Sequence, residues 1–254
     1  MTPACRSPAG PALWGPPLAF LVAALAVWAM DWNAPLFLWL NALGGGDPGW
    51  GGVTLFGEPL TALALGLVCT VRRPRAGWAL VLGGVVAALA VNLAKTGLGL
   101  PRPAAVLPPE SFHLVGEALR WRAFPSGHTA TAFLFAAVVF WCADFRALRL
   151  GAVALAALAG LSRIMMGVHW PLDVLAGAAL GWLCGALGVW AAARIAWLDR
   201  PAGHRVLYGI LAGAALALPF YRPHYPGTGG LQAALAAAVL AVAALGWWRR
   251  RAAQ

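Results

Sequence analysis

HWPLDVLAGAALGWLCGALGVWAAARIA (His169–Ala196) sets a histidine and an aspartate at the head of a run with no further charge until Arg194. A run of this kind matches the roughly 20 apolar residues that carry a helix across a bilayer. Comparable runs recur on both sides of it. Of the 254 residues 61% are hydrophobic and only 10% charged, well beyond the roughly 45–50% apolar content of a soluble domain. No ten-residue alternation of the kind found in outer-membrane barrels is present. The expected fold class is therefore all-α, a polytopic membrane helical bundle.

Eight spans are expected, at about 12–30, 52–71, 77–98, 127–143, 150–167, 171–196, 206–220 and 231–248. Residues 34–43 (APLFLWLNAL) are too short to span and read as an interfacial or re-entrant helix, followed by a Gly/Pro-rich loop at 44–52. Arg6, an apolar stretch and small residues near Ala29 also fit a signal peptide, so the first segment reads either as a retained span or as a leader. The cysteines, Cys5, Cys69, Cys142 and Cys184, are isolated along the chain and read as packing residues, not as a disulfide framework or a zinc site.

The net charge of +10 does not imply a nucleic-acid partner, because the basic residues are scattered among apolar segments. They serve topology instead, since Lys and Arg accumulate on the cytoplasmic side. With the N-terminus inside, twelve of the eighteen fall inside: Arg6, Arg72, Arg73, Arg75, Arg146, Arg149, Arg194, Arg200, Arg205 and Arg249 to Arg251. Lys95, Arg102, Arg120, Arg122, Arg163 and Arg222 remain outside. Both termini are thus expected to be cytoplasmic. Positive charge held on the disfavoured face needs another reason.

Three polar clusters supply it, all at span ends on that outer face: KTGLGLPRP (Lys95–Pro103), PSGH (Pro125–His128) and SRIMMGVHWPLD (Ser162–Asp173). Polar groups at membrane depth are costly and mark function. Lys95 and Arg102 are seven residues apart, close to two helical turns, which puts them on a common face if the helix continues; Pro101 is a helix-stop signal before Arg102. Ser126, Gly127 and His128 open a span, where free N–H groups and the positive helix end favour an anion. Arg163 adds a planar donor fork suited to phosphate oxygens. His169 and Asp173 are four apart, so the carboxylate can fix one ring nitrogen and leave the other free to attack. His128, from a separate segment, can serve as general acid. The set reads as a phosphate-transfer site.

The pattern K-x6-RP, PSGH and SR-x5-H-x3-D resembles that of the type 2 phosphatidic acid phosphatases, over about residues 52–196. The resemblance implies a six-helix catalytic core at 52–196, with an N-terminal span and interfacial segment at 1–51 and two further spans with a basic tail at 197–254. It implies His169 as a nucleophile forming a phosphohistidine, Asp173 as its orienting partner and His128 as proton donor to the leaving group. Lys95, Arg102, Ser126, Gly127 and Arg163 would hold the phosphate. Neither a metal nor another cofactor is implied. The implied partner is a lipid phosphate or pyrophosphate among membrane lipids: undecaprenyl pyrophosphate, phosphatidylglycerophosphate, phosphatidate or lipid A. Ala-, Gly- and Arg-rich usage suggests a bacterium with GC-rich DNA, hence a bacterial inner membrane with the site facing outward.

Other readings stand beside this one. A phosphotransferase would pass the phosphoryl group to a second lipid. A transporter would set its ionisable residues nearer the midplane. The two histidines and Asp173 could form a facial metal triad, against which the surrounding cations argue. The motifs also resemble those of vanadium-dependent haloperoxidases, which are soluble. Glu58, before Pro59, either approaches the site or bonds a neighbouring helix, and Asn92 is spaced to orient Lys95. Arg120 and Arg122 suit an anionic head group or lipid phosphates. Glu110, His113 and Glu117 sit in the 101–124 loop, at the entrance or in solvent; His204 and His224 carry no signal.

Overall fold

A computed structural model describes residues 5–252, apart from the side chains of Arg72 and of residues 250–252. The contributions of Arg72, Arg250 and Arg251 to the charge tally lie outside those described side chains, as do the extreme ends of the 1–51 and 197–254 segments. Helices and their connections make up the described residues, with no strand among them.

The elements are α1 (Pro11–Ala29), α2 (Asn33–Gly44), α3 (Trp50–Thr54), α4 (Pro59–Arg72), α5 (Pro74–Leu98), α6 (Pro103–Val106), α7 (Gly127–Cys142), α8 (Arg146–Met165), α9 (Pro171–Ala192), α10 (Pro201–Ala217) and α11 (Gly229–Ala252). Prolines stand at the start of six of the eleven, α1, α4, α5, α6, α9 and α10, where the missing N–H costs nothing. Six helical segments among the described residues are long and apolar enough to cross a membrane. A seventh is not the continuous helix expected at 52–71. There α3 and a 3-10 turn meet α4 at a bend of 65°, with Glu58 extended between them. The cause is local: Pro59 disfavours helical backbone at the residue before it. The remaining expected span, α7, is a shorter apolar helix of 16 residues. The segment at 34–43 is indeed a short helix, α2, tied down by Asn41, whose side chain bonds the backbone of His113, Ile164 and Met165.

Helix α9 is the centre of the bundle, and its glycines explain why. A Cβ on Gly177 would lie 2.5 Å from Ser126 O, on Gly181 2.1 Å from Ala130 O, and on Gly185 2.7 Å from Leu134 O, all along α7. On Gly188 it would lie 2.2 Å from Ala79 O of α5. Small residues at four-residue spacing let backbones approach closely where lipid offers no hydrophobic drive between helices. Gly181→Leu is therefore expected to lower the unfolding midpoint in detergent, since overpacking of this kind costs about 1–3 kcal/mol. A midpoint equal to that of the unsubstituted protein would contradict the α7–α9 contact. Helix α1 lies on the outside of α9, with Trp182 Nε1 donating to Ala12 O at 3.1 Å.

One sequence expectation fails at the opposite end from the polar clusters. Cys5 and Cys142, 137 residues apart, form a disulfide; Cys69 and Cys184 are free. The segment before α1 folds back along the end of α7, where Arg6 N–H bonds Trp141 O at 2.9 Å and its guanidinium bonds Phe140 O at 2.7 Å. No spacing rule anticipates a pair made by that return. The same end carries the ion pairs Arg73–Asp144 and Arg75–Asp199.

Candidate active site

The end of α8 and the start of α9 build the first half of the site. After Met165 the chain turns through Gly167 (φ +77), and His169 N–H bonds back to Arg163 O at 3.2 Å. Trp170 caps α9, Pro171 opens it, and Asp173 falls three residues past the cap. Its Oδ2 accepts the Trp170 N–H at 2.9 Å and lies 3.1 Å from His169 Nδ1. One carboxylate thus closes the helix end and holds the imidazole. With Nδ1–H given to Asp173, the Nε2 lone pair is free. Both side chains are buried. Burial, followed by the charges of Arg102, Arg163 and Lys95, pushes the His169 imidazole well below its ordinary range, which keeps it neutral.

The start of α7 docks directly on this unit, as Ser126 N–H donates to Asp173 O at 2.9 Å. Ser126 is the N-cap of α7 and fully buried; its Oγ accepts the Thr129 hydroxyl at 2.9 Å, leaving its own proton free to donate. Over Gly127 sits the Lys95 ammonium, 3.9 Å from where a Cβ would be. The helix end therefore lies beside a cation, an arrangement suited to an anion held by both.

Lys95 and Arg102 do not share a helix face. Gly99, at φ +56, caps α5 after Leu98, and Arg102 precedes α6 in extended backbone. The loop instead returns Arg102 to the site, where it donates to Trp121 O at 3.0 Å and Val168 O at 3.1 Å. Arg163 Nη1 donates to Thr54 Oγ1 at 2.8 Å, while its buried Nε has no hydrogen-bond partner among the described residues. A buried, unmatched guanidinium donor in a cationic cluster calls for an acceptor brought in from outside.

His128 is joined to a different partner. Its Nε2 lies 3.0 Å from Oε1 of Glu58, at the α3–α4 bend. The candidate metal triad is thus split between two pairs, His169–Asp173 and His128–Glu58. Two tyrosines complete the second pair: Tyr225 bonds Glu58 Oε1 at 2.9 Å and Tyr221 bonds Oε2 at 3.2 Å. A hollow of about 560 Å³ opens beside them, lined by Tyr221, Arg222, His224, Tyr225 and Gln232. Thr54, Tyr221 and Tyr225 carry no signal in the sequence that would single them out. Asn92, spaced to orient Lys95, instead bonds Ala88 O within its own helix. Arg122 is exposed and bonds Thr96, and exposed Arg120 contributes its carbonyl to Arg102 N–H. His224, silent in the sequence, pairs with Glu117 at 2.5 Å and so links two loops.

Residues 76–197 match the PAP2 superfamily. The lipid A 1-phosphatase of Porphyromonas gingivalis is 44% identical over 69 residues, 26% of this chain and 16% of that protein. The lipid A 1-phosphatase of Rhizobium etli is 33% identical over 105 residues, 38% of this chain and 42% of that protein. The chain therefore aligns with less than half the length of either. Among solved structures, Aquifex aeolicus LpxE is 30% identical, with a TM-score of 0.52 over 61% of this chain and 93% of that one. A PAP2-type phosphatidylglycerolphosphate phosphatase from Bacillus subtilis, 23% identical, shares the fold at a TM-score of 0.52, over 70% of this chain and 94% of that one.

Proposed function

This chain belongs to the PAP2 superfamily, and we propose that it is a membrane phosphatase that hydrolyses a lipid phosphate through a phosphohistidine. The observation that carries the reading is the His169–Asp173 pair facing a cluster of Lys95, Arg102 and Arg163 at a helix N-terminus. His169 Nε2 donates its lone pair to phosphorus as the bond to the lipid oxygen breaks. That oxygen keeps the bonding pair and takes a proton from His128. Water then attacks the phosphohistidine; the N–P bond pair returns to Nε2, and the water proton restores His128. Free phosphate and a lipid alcohol result, or a lipid monophosphate if the substrate is a diphosphate. Lys95, Arg102, Arg163, the Ser126 hydroxyl and the backbone at Gly127 hold the phosphoryl oxygens and offset charge that develops in transfer.

Residues 52–196 form the catalytic core in this reading, with 1–51 and 197–254 as flanking membrane segments. Ala-, Gly- and Arg-rich composition favours a bacterial inner membrane, and the tally of basic residues favours the site outside and both termini in the cytoplasm. Within the substrate class, the two curated relatives favour the 1-phosphate of lipid A. The test is phosphate release by the purified protein from lipid A, phosphatidate, phosphatidylglycerophosphate and undecaprenyl pyrophosphate, with His169→Ala as the blank. Lipid A is expected to be turned over fastest. Release from none of the four would refute the phosphatase reading, and label passing from the lipid to a second lipid would make the enzyme a transferase.

A further inference from the structure

Glu58 is a buried carboxylate, 5% exposed, and its surroundings are built to keep it there. Burying such a group without partners costs several kcal/mol. Here it has three, His128, Tyr225 and Tyr221. The bend at Pro59 turns it inward, and Gly57 lets the two segments close up: a Cβ there would lie 2.8 Å from His128 O. Glu58, Tyr221 and Tyr225 all fall outside the stretch 76–197 that matches the superfamily.

The tyrosines come from the segment joining α10 to α11, which is docked and not left in solvent. Gln232 Nε2 bonds Leu218 O at 3.2 Å and Tyr221 O at 3.0 Å. Glu117 N–H bonds His224 O at 2.9 Å, and Tyr225 packs with Val115, Met166 and Val168. Both phenols are held protonated, first by burial and then by the charge of Glu58, which pushes Tyr221 up to about 12 and Tyr225 further. They can therefore serve only as donors to the carboxylate.

We infer that Glu58 is the positioning residue of His128, and that Tyr221 and Tyr225 make the α10–α11 pair part of the catalytic unit. With Nε2–H committed to Glu58, the ring has one orientation and its other nitrogen exchanges the proton with the leaving oxygen and then with water. No proton passes through Glu58. The inference rests on His128 being the proton donor, as proposed above.

Leaving-group dependence separates this role from a merely structural one. An alkoxide or sugar oxygen needs a proton in order to leave, whereas p-nitrophenolate leaves without one; loss of folded enzyme would lower both activities equally. The measurement is kcat/KM for the lipid released fastest in the panel above and for p-nitrophenyl phosphate. Glu58→Gln is expected to lower the lipid value about 10- to 100-fold, within the range that general acids supply, and the aryl value less than about threefold. Tyr221→Phe with Tyr225→Phe, which removes no charge and little volume, is expected to give the same selective pattern at about 3- to 10-fold. Equal losses on both substrates, or no loss in either variant, would overturn the inference. His128→Ala is the reference: if it too lowers both values equally, the role of His128 fails; if it alone is selective, only the role of Glu58 fails.

Discussion

His169→Ala is expected to abolish phosphate release, with a loss of at least about 10⁴-fold in kcat, the scale seen when a covalent nucleophile is removed. The reason is geometric. Asp173 occupies Nδ1, so Nε2 is the nitrogen left to attack. Because the side chain is 1% exposed, its removal also leaves a gap beside Asp173. His169→Asn answers that objection, since its amide can still donate to Asp173 while offering no basic nitrogen. Both variants should be inactive, and the asparagine variant should unfold near the midpoint of the unsubstituted protein. Wild type mixed with labelled lipid and quenched in alkaline detergent should carry base-stable, acid-labile phosphate that neither variant carries. Turnover within tenfold of wild type in either one would remove His169 from the mechanism.

Asp173→Asn carries the second-largest expected effect and probes the tautomer, not the nucleophile. With its oxygen in the place of Oδ2, which holds both the Trp170 N–H and the imidazole, asparagine keeps the cap but loses the charge that offsets the positive phosphohistidine ring. With its amide there, it gives up the cap and donates to Nδ1, which moves the imidazole proton to Nε2 and removes the attacking lone pair. A reversal of this kind costs about 10⁴-fold in kcat in Ser-His-Asp hydrolases, and a fall of about 10³- to 10⁴-fold is expected here. Asp173→Ala should be about as inactive but less stable, because it also loses the cap, worth about 1 kcal/mol. Steady-state turnover of the two variants beside their melting curves checks both points. An asparagine variant with near-normal kcat would mean that Asp173 serves the fold alone.

Much of this site can be read along the chain because its parts are short-range. Serine at a helix start, proline at the first turn of α9 and the four-residue step from His169 to Asp173 depend on backbone geometry within one or two turns. The exception among the motifs is instructive. Lys95 and Arg102 look like neighbours on one helix by spacing, yet Gly99 ends that helix between them and Arg102 returns through a loop. Seven-residue spacing predicts a shared face only if the helix runs on, and a glycine at positive φ is what stops it.

The partners of His128 lie beyond that range. Glu58 precedes it by 70 residues and Tyr225 follows Glu58 by 167, and no periodicity connects positions so far apart. The same holds for Cys5 and Cys142, which meet only because the chain before α1 folds back along α7. By itself the sequence determined a polytopic membrane bundle and the polar cluster proposed to bind phosphate at one end of it, because hydropathy and helix-end chemistry are local and bilayer crossing puts alternate span ends on one face. Only the tertiary structure decided that Glu58 is the carboxylate paired with His128. That choice depends on how a bend at Pro59 and a docked loop between α10 and α11 pack against α7, and packing between distant segments leaves no mark on either segment alone.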